Sequence, residues 1–198
     1  MKENRNRWWH YTAIPVGILI GAIIAIMLRT SEADRATLNR GELVAAPLIN
    51  LLDSPVQDPR DIQRIAVVFG YRSCPDVCPT TLLAMHNALV ALGPKADHVL
   101  VVFVTVDPDR DSAEQLRQYV AFFDPHIHSI SAPSSVTRIL GEFRVRAVRT
   151  PSATAGNYLM DHTAVVYVLD SGQRVLDAIP ESIPQQQLIR RLTAALQL

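Results

Sequence analysis

Two apolar runs enclose one helix-forming stretch, and that arrangement restricts the fold more than any other feature of the chain. Ile65-Ala66-Val67-Val68-Phe69-Gly70 leads in, and His98 to Val106 (H-V-L-V-V-F-V-T-V) follows. Runs that are apolar at every position, not every second one, suit strands covered on both faces, the inner strands of a sheet. Between them Leu83, Met85, His86, Leu89, Val90 and Leu92 mark the packed side of a helix over residues 79–92, which Gly93-Pro94 stops. Asp111-Ser112-Ala113-Glu114 reads as an N-cap opening a helix to Phe123, Ile127 to Ser131 as a strand, and Ser135 to Val145 as another helix. Residues 146–157 read as a loop. Ala164 to Leu169 and Arg174 to Ala178 flank Asp170-Ser171-Gly172 as a hairpin, and Ser182-Ile183-Pro184-Gln185 caps a last helix to Gln197. Upstream, Pro47 to Leu52 reads as a short strand, with Pro55 and Pro59 breaking the chain after it. Strand, helix, strand, helix, then a hairpin and a closing helix describe a three-layer α/β domain with a central mixed sheet, assigned to residues 46–198.

Where the first strand meets its helix stand Ser73-Cys74-Pro75-Asp76-Val77-Cys78-Pro79-Thr80, which contain the only two cysteines of the chain. Open α/β sheets place ligands at the C-terminal ends of their strands, and a helix N-terminus lowers the pKa of a nearby thiol. Two cysteines are too few for a disulfide scaffold, and a loop this short removes little chain entropy, so the pair reads as a site. At i and i+4, one helical turn would aim both sulfurs the same way. Thiolates exchange disulfides and bind soft metals, and Cα atoms ~6 Å apart also allow the two sulfurs to close on each other. Nineteen basic and nineteen acidic side chains cancel, and aromatics are few. With neither a basic field nor a stacking platform, nucleic acid is excluded as a partner.

Residues 1–10 are basic, with Lys2, Arg5 and Arg7 against Glu3, and Tyr11 to Leu28 carries no charge. Eighteen helical residues rise about 27 Å, close to the hydrocarbon thickness of a bilayer. Trp8, Trp9 and Tyr11 suit the headgroup boundary, and the basic tail places the N-terminus in the cytoplasm. Residues 11–29 are therefore expected to be a transmembrane anchor and residues 30–45 a linker, with the domain on the far side. A cleaved signal peptide is the rival reading, with Ser31-Glu32-Ala33 as the cut, but its apolar core would normally span only ~7–15 residues.

Two thiolates leave a metal under-coordinated, and an imidazole is the obvious third ligand. Six histidines are present. His162, in Tyr158-Leu159-Met160-Asp161-His162-Thr163, directly precedes a buried-type strand, although spacing alone fits a surface or capping histidine as well. Two sulfurs and one imidazole suit copper, whereas zinc would ask for a fourth protein ligand that the sequence does not offer. Asp161 is a candidate to orient His162, or a solvated carboxylate. Asp76 would hold the cysteine loop or simply be exposed. Met160 would share a side with His162 in an extended chain, in a packing role. His126 and His128 read as an exposed pair on one strand face, and His86 as packed on its helix. Asp107, Asp109 and Asp111 imitate the start of a calcium loop, but Ser112 and Gln118 stand where glycine and glutamate are needed.

Val68 to Pro79, Thr105-Val106-Asp107-Pro108-Asp109-Arg110-Asp111 and Tyr158 to Thr163 are similar, in that order, to the three signature blocks of the Sco/SenC family. Members of that family are membrane-anchored, thioredoxin-like copper proteins that help assemble cytochrome c oxidase. The resemblance implies a thioredoxin-like fold and copper, as Cu(I) or Cu(II), on Cys74, Cys78 and His162. It further implies an inner-membrane location with a periplasmic domain, a thiol reductant, and cytochrome c oxidase subunit II or another copper acceptor as partner. The alternative is a thiol-disulfide oxidoreductase cycling the same pair. Dedicated enzymes of that kind use C-x-x-C and a cis-proline before the facing strand, where this chain has Asp161-His162-Thr163. A peroxidase, with Cys74 attacking and Cys78 resolving, is a third possibility with no other feature behind it.

Overall fold

The computed structural model describes residues 37–152 and 158–197. The expected anchor at residues 11–29 and the tail before it lie outside the described residues. Among the described residues seven strands run β1 (Arg64–Gly70), β2 (Val99–Thr105), β3 (Ile127–Ile130), β4 (Ala147–Pro151), β5 (Tyr158–His162), β6 (Val165–Asp170) and β7 (Val175–Pro180), and four α-helices, α1 (Val77–Leu92), α2 (Ala113–Phe123), α3 (Pro133–Glu142) and α4 (Gln185–Leu196), connect or follow them.

The central sheet is mixed, as expected, with the order β3-β2-β1-β6-β7. β1 pairs parallel with β2 and antiparallel with β6, so it is an inner strand with both edges satisfied. All seven residues of β2 are buried, which accounts for its unbroken apolar run. Alternation along β1 separates the two outer layers. Gly70 faces Cys78 of α1, and Phe103, on the same side, meets Tyr119 of α2 at 6.0 Å between ring centroids. Phe69 points the other way, to Phe143 just past α3 (5.3 Å) and Tyr167 (6.2 Å). Helix α4 packs against α1.

Four local expectations are corrected. Leu48–Leu51 is a 3-10 turn, not a strand, because Pro47 begins a tight turn whose Asn50 N–H closes on the Pro47 carbonyl at 2.9 Å. Ala147–Pro151 is a strand paired with β5 where a loop was expected. Helix α2 is capped by Ser112 with Gln115, one residue later than Asp111 with Glu114. Asp111 is unavailable because its Oδ2 accepts the Thr105 hydroxyl at 2.7 Å. Helix α4 opens at Gln185 after Pro184, without a side-chain cap.

The end of the segment read as a linker is packed. The Leu38 N–H donates to the Tyr167 hydroxyl (3.3 Å), the Gly41 and Val44 N–H groups bond to the β6–β7 hairpin, and Leu38 and Val44 are buried. Among the described residues, Val77–His98 is long and apolar enough to cross a membrane by length and composition. Its Leu82, Met85, Ala88 and Leu89 are buried in the domain core, and it packs there as a core helix.

Candidate metal centre

Past Gly70 the chain turns. The Cys74 N–H donates to the Tyr71 carbonyl at 3.1 Å, and the Arg72 N–H donates to Asp111 Oδ2 at 3.1 Å. Helix α1 begins only at Val77, with Asp76 as N-cap, so one helical turn does not carry both sulfurs as expected. Pro75 is the physical reason, since a residue before proline is driven out of the helical region. Cys74 stands in front of the helix, and Cys78 occupies its first turn.

That offset divides the labour between the sulfurs. The Cys78 thiol donates to Cys74, the Asp76 and Cys78 backbone N–H groups also point at it, and His162 adds a smaller favourable field. Together they outweigh partial burial and lower the Cys74 pKa to about 5. Cys78 is shifted the opposite way, by the hydrogen bond that it donates to Cys74, by burial, and by the neighbouring negative charge. It is fully buried, whereas Cys74 is half-buried. At neutral pH the pair is a thiolate beside a thiol.

Two buried groups that the sequence reading did not single out interact electrostatically with this pair. Glu181, just after β7, is 8% exposed and accepts the Thr81 hydroxyl at 2.9 Å, while its Oε1 has no partner among the described residues. Burial raises its pKa to about 7, with the Cys74 charge adding to the effect. Burial also raises the Tyr119 pKa, with further contributions from Cys78 and Cys74, and its hydroxyl likewise has no partner among the described residues. No local spacing signal marks these two residues.

His162 ends β5. The pairing of β4 with β5 places Tyr158, Met160 and His162 on one face and the exposed Leu159 and Asp161 on the other. Met160 therefore shares a side with His162, as an extended chain requires. Asp161 points away, and it is the Thr163 carbonyl that lies 3.1 Å from His162 Nδ1. A proton on Nδ1 donated to that carbonyl leaves the Nε2 lone pair for a ligand. The His162 ring stands edge-on to Tyr71, 6.4 Å between centroids at 86°. The structure thus brings the two cysteines together and sets the imidazole beside Tyr71. Among the described residues, no three histidine, cysteine, aspartate or glutamate side chains converge closely enough to grip an ion. The donor set of one thiolate, one thiol and one imidazole is soft in character.

The other candidates are engaged elsewhere. Asp76 is exposed and makes no side-chain cap bond. His86 Nδ1 and His126 Nδ1 each lie 2.8 Å from Asp124, so His86 is tied to a carboxylate and not only packed on its helix. His126 precedes β3, and His128 is half-buried next to the Ser54 hydroxyl at 3.3 Å. They are not an exposed pair on one strand face. Asp107 and Asp111 are both buried and hydrogen-bonded to protein groups.

Residues 57–197 match the family model described as SCO1/SenC. An SCO2-like protein of Rickettsia prowazekii is 33% identical over 112 residues, 56% of this chain and 55% of that protein. The mitochondrial SCO2 homolog of Danio rerio is 30% identical over 116 residues, 57% of this chain and 42% of that protein. The chain spans about half the length of these curated relatives. The copper-bound structure of Bradyrhizobium japonicum ScoI is 34% identical with a TM-score of 0.59, covering 67% of this chain and 85% of that one. The apo Sco1 of Thermus thermophilus is also 34% identical, with a TM-score of 0.61, covering 69% and 79%. The fold is thioredoxin-like, and the matched segment includes the cysteine pair, the Asp107–Asp111 block and His162. The chain belongs to the SCO1/SenC family.

Proposed function

We propose that the protein is a copper metallochaperone that holds copper on Cys74, Cys78 and His162 and delivers it to the dinuclear copper site of cytochrome c oxidase subunit II. In this reading residues 11–29 anchor it in the inner membrane with the domain in the periplasm. The observation that carries it is the thiolate–thiol pair at the C-terminal end of β1, where one sulfur is already ionised at neutral pH. Binding both sulfurs to Cu(I) then releases a single proton, from Cys78. The relative from B. japonicum was solved with copper bound, which supports the choice of metal. Cys74 and His162 are only partly covered, so an acceptor's thiolate reaches the ion and displaces them by ligand exchange with no change in copper oxidation state. Cu(I) titration of the whole chain against a competing chelator tests the ligands: an affinity unchanged in Cys74→Ser or His162→Ala removes that residue from the set. Mixing the copper-loaded protein with metal-free subunit II domain, then adding a one-electron oxidant such as ferricyanide, tests delivery through the absorption of the mixed-valence dinuclear centre.

The depressed Cys74 pKa also favours a second reading, a thiol-disulfide oxidoreductase. The Cys74 thiolate attacks a partner disulfide, forming a mixed disulfide and releasing one partner thiolate. Cys78 then loses its proton and attacks Cys74, closing the Cys74–Cys78 bond and releasing the second partner thiolate, so two electrons pass to the partner. Catalytic turnover of insulin disulfides by the metal-free chain supports this reading, and its absence rules it out.

A further inference from the structure

Strands β4 and β5 form a two-stranded sheet of their own, with no ladder pairing to the five-stranded sheet. The ligand candidate at the end of β5 is held by its pairing with Ala147 of β4 and by the short link to β6, and side-chain contacts add to that hold. The Asp107–Asp111 segment, between β2 and α2, supplies several of them.

Arg110 lies with its guanidinium 3.6 Å from the centroid of the Tyr158 ring and donates from Nη1 to the Tyr158 carbonyl at 3.0 Å. Its Nε donates to Asp107 Oδ2, and the other Asp107 oxygen accepts the Tyr158 hydroxyl at 2.8 Å. Asp107 is buried, so this carboxylate is held by two partners that both belong to the clamp. The same guanidinium lies 5.8 Å from the Tyr71 ring, the ring that His162 meets edge-on. Tyr71 also takes the Met160 backbone N–H on its hydroxyl. Four residues further along the clamp segment, Asp111 holds the Arg72 N–H in the cysteine loop. One short segment thus grips the two parts of the chain that carry the proposed ligands.

We propose that Arg110, clamped by Asp107 and stacked between Tyr158 and Tyr71, is a positioning residue that fixes His162 relative to the Cys74–Cys78 pair. This rests on the ligand reading above. A lysine would keep the charge but not the planar stack with its simultaneous carbonyl and carboxylate bonds. Outer partners of metal ligands typically contribute 10–100-fold in affinity.

The test uses the whole chain carrying Arg110→Ala, Arg110→Lys, His162→Ala, or Arg110→Ala with His162→Ala. Each is read by Cu(I) competition and by the nitrogen hyperfine coupling in the electron paramagnetic resonance spectrum of its Cu(II) form. Arg110→Ala is expected to lose at least tenfold in affinity and the nitrogen coupling, with Arg110→Lys only partly restoring them. The double variant is expected to be no weaker than His162→Ala alone. Wild-type affinity and coupling in Arg110→Ala, while His162→Ala is weakened, overturns the positioning role and leaves the ligand reading intact. No effect of His162→Ala overturns both. Should Arg110→Ala fail to fold, Tyr158→Phe removes the hydroxyl that bonds to Asp107 and keeps the ring under the guanidinium. It is expected to weaken the nitrogen coupling, and an unchanged spectrum in that variant counts against the clamp.

Discussion

Gly70 and Cys78 are in contact across the boundary between sheet and helix: a Cβ placed on Gly70 would lie 2.8 Å from Cys78 Sγ and 2.8 Å from Phe103 Cζ. The missing side chain lets the first turn of α1 close onto β1 and keeps the Cys78 sulfur buried next to Cys74. Gly70→Ala has no soft neighbour to push aside, since both contacts are core atoms. We expect a loss of about 1–3 kcal/mol, in the range for overpacked cores, measured as a lower urea midpoint. Displacing Cys78 also weakens the hydrogen bond that ionises Cys74, so the thiolate absorbance near 240 nm should titrate at higher pH.

Cys74 should be the only thiol that alkylates quickly. With its pKa lowered to about 5, the iodoacetamide rate of the reduced, metal-free chain should reach half its plateau near that pH. Peptide mapping should place the label on Cys74, because Cys78 is buried and holds its proton. Equal labelling of both residues at pH 6 would contradict the thiolate–thiol division.

Glu181 makes stability fall as pH rises from weakly acidic to neutral. Its folded pKa is raised from 4.5 to about 7, chiefly by burial, so between those values the folded chain holds a proton that the unfolded chain has released. The contribution of Glu181 to stability falls through that window and levels off above it, opposite in sign to the contribution of the Cys74 thiolate, which grows there. A displacement of this size corresponds to on the order of 3 kcal/mol at 1.36 kcal/mol per unit. Glu181→Gln keeps an acceptor for the Thr81 hydroxyl and removes the charge. The difference in urea stability between the variant and the parent chain should therefore grow in favour of the variant from pH 5 to pH 7, since the Cys74 contribution is common to both. Parallel pH profiles for the two proteins would exclude Glu181 as the titrating group.

The contrast between Cys78 and Glu181 shows what was legible in the sequence. Strands β1 and β2 are covered on both faces and announce themselves as unbroken apolar runs, so the mouth of the cysteine site followed directly. Strand β4 has no buried residue at all, and its Arg149 and Thr150 look like loop composition; only pairing with β5 makes it a strand. Ser112 replaced Asp111 as the helix cap because Asp111 is held by Thr105 and the Arg72 N–H, the latter a contact 39 positions away. Glu181 looks like a surface residue next to Pro180 until Thr81, 100 positions earlier, covers it. Arg110 was visible as part of a motif, but its place between two tyrosines exists only once β5 has folded over the cysteine loop. Long-range polar partners leave no local period, and these are the features that sequence reading missed.

Serine substitutions should separate the two cysteines by stability as well as by chemistry. Cys78 is part of the hydrophobic core, in contact range of Gly70 and so of the sheet, and a hydroxyl there is a buried polar group in place of a weakly polar one. Cys78→Ser should cost about 1–3 kcal/mol, the usual penalty for an imperfectly paired buried hydroxyl. Cys74 is half-exposed in the loop, so Cys74→Ser should cost well under that when the two are compared at pH 5, before ionisation of Cys74 adds to the stability of the parent chain. In Cys74→Ser the sulfur that raised Cys78 through a hydrogen bond and a negative charge is gone. The remaining thiol should then titrate lower than it does in the parent, and alkylation of denatured controls should confirm that the difference belongs to the folded state. A Cys74→Ser chain destabilised as much as Cys78→Ser at that pH would mean that the loop sulfur, not the buried one, is packed as part of the core.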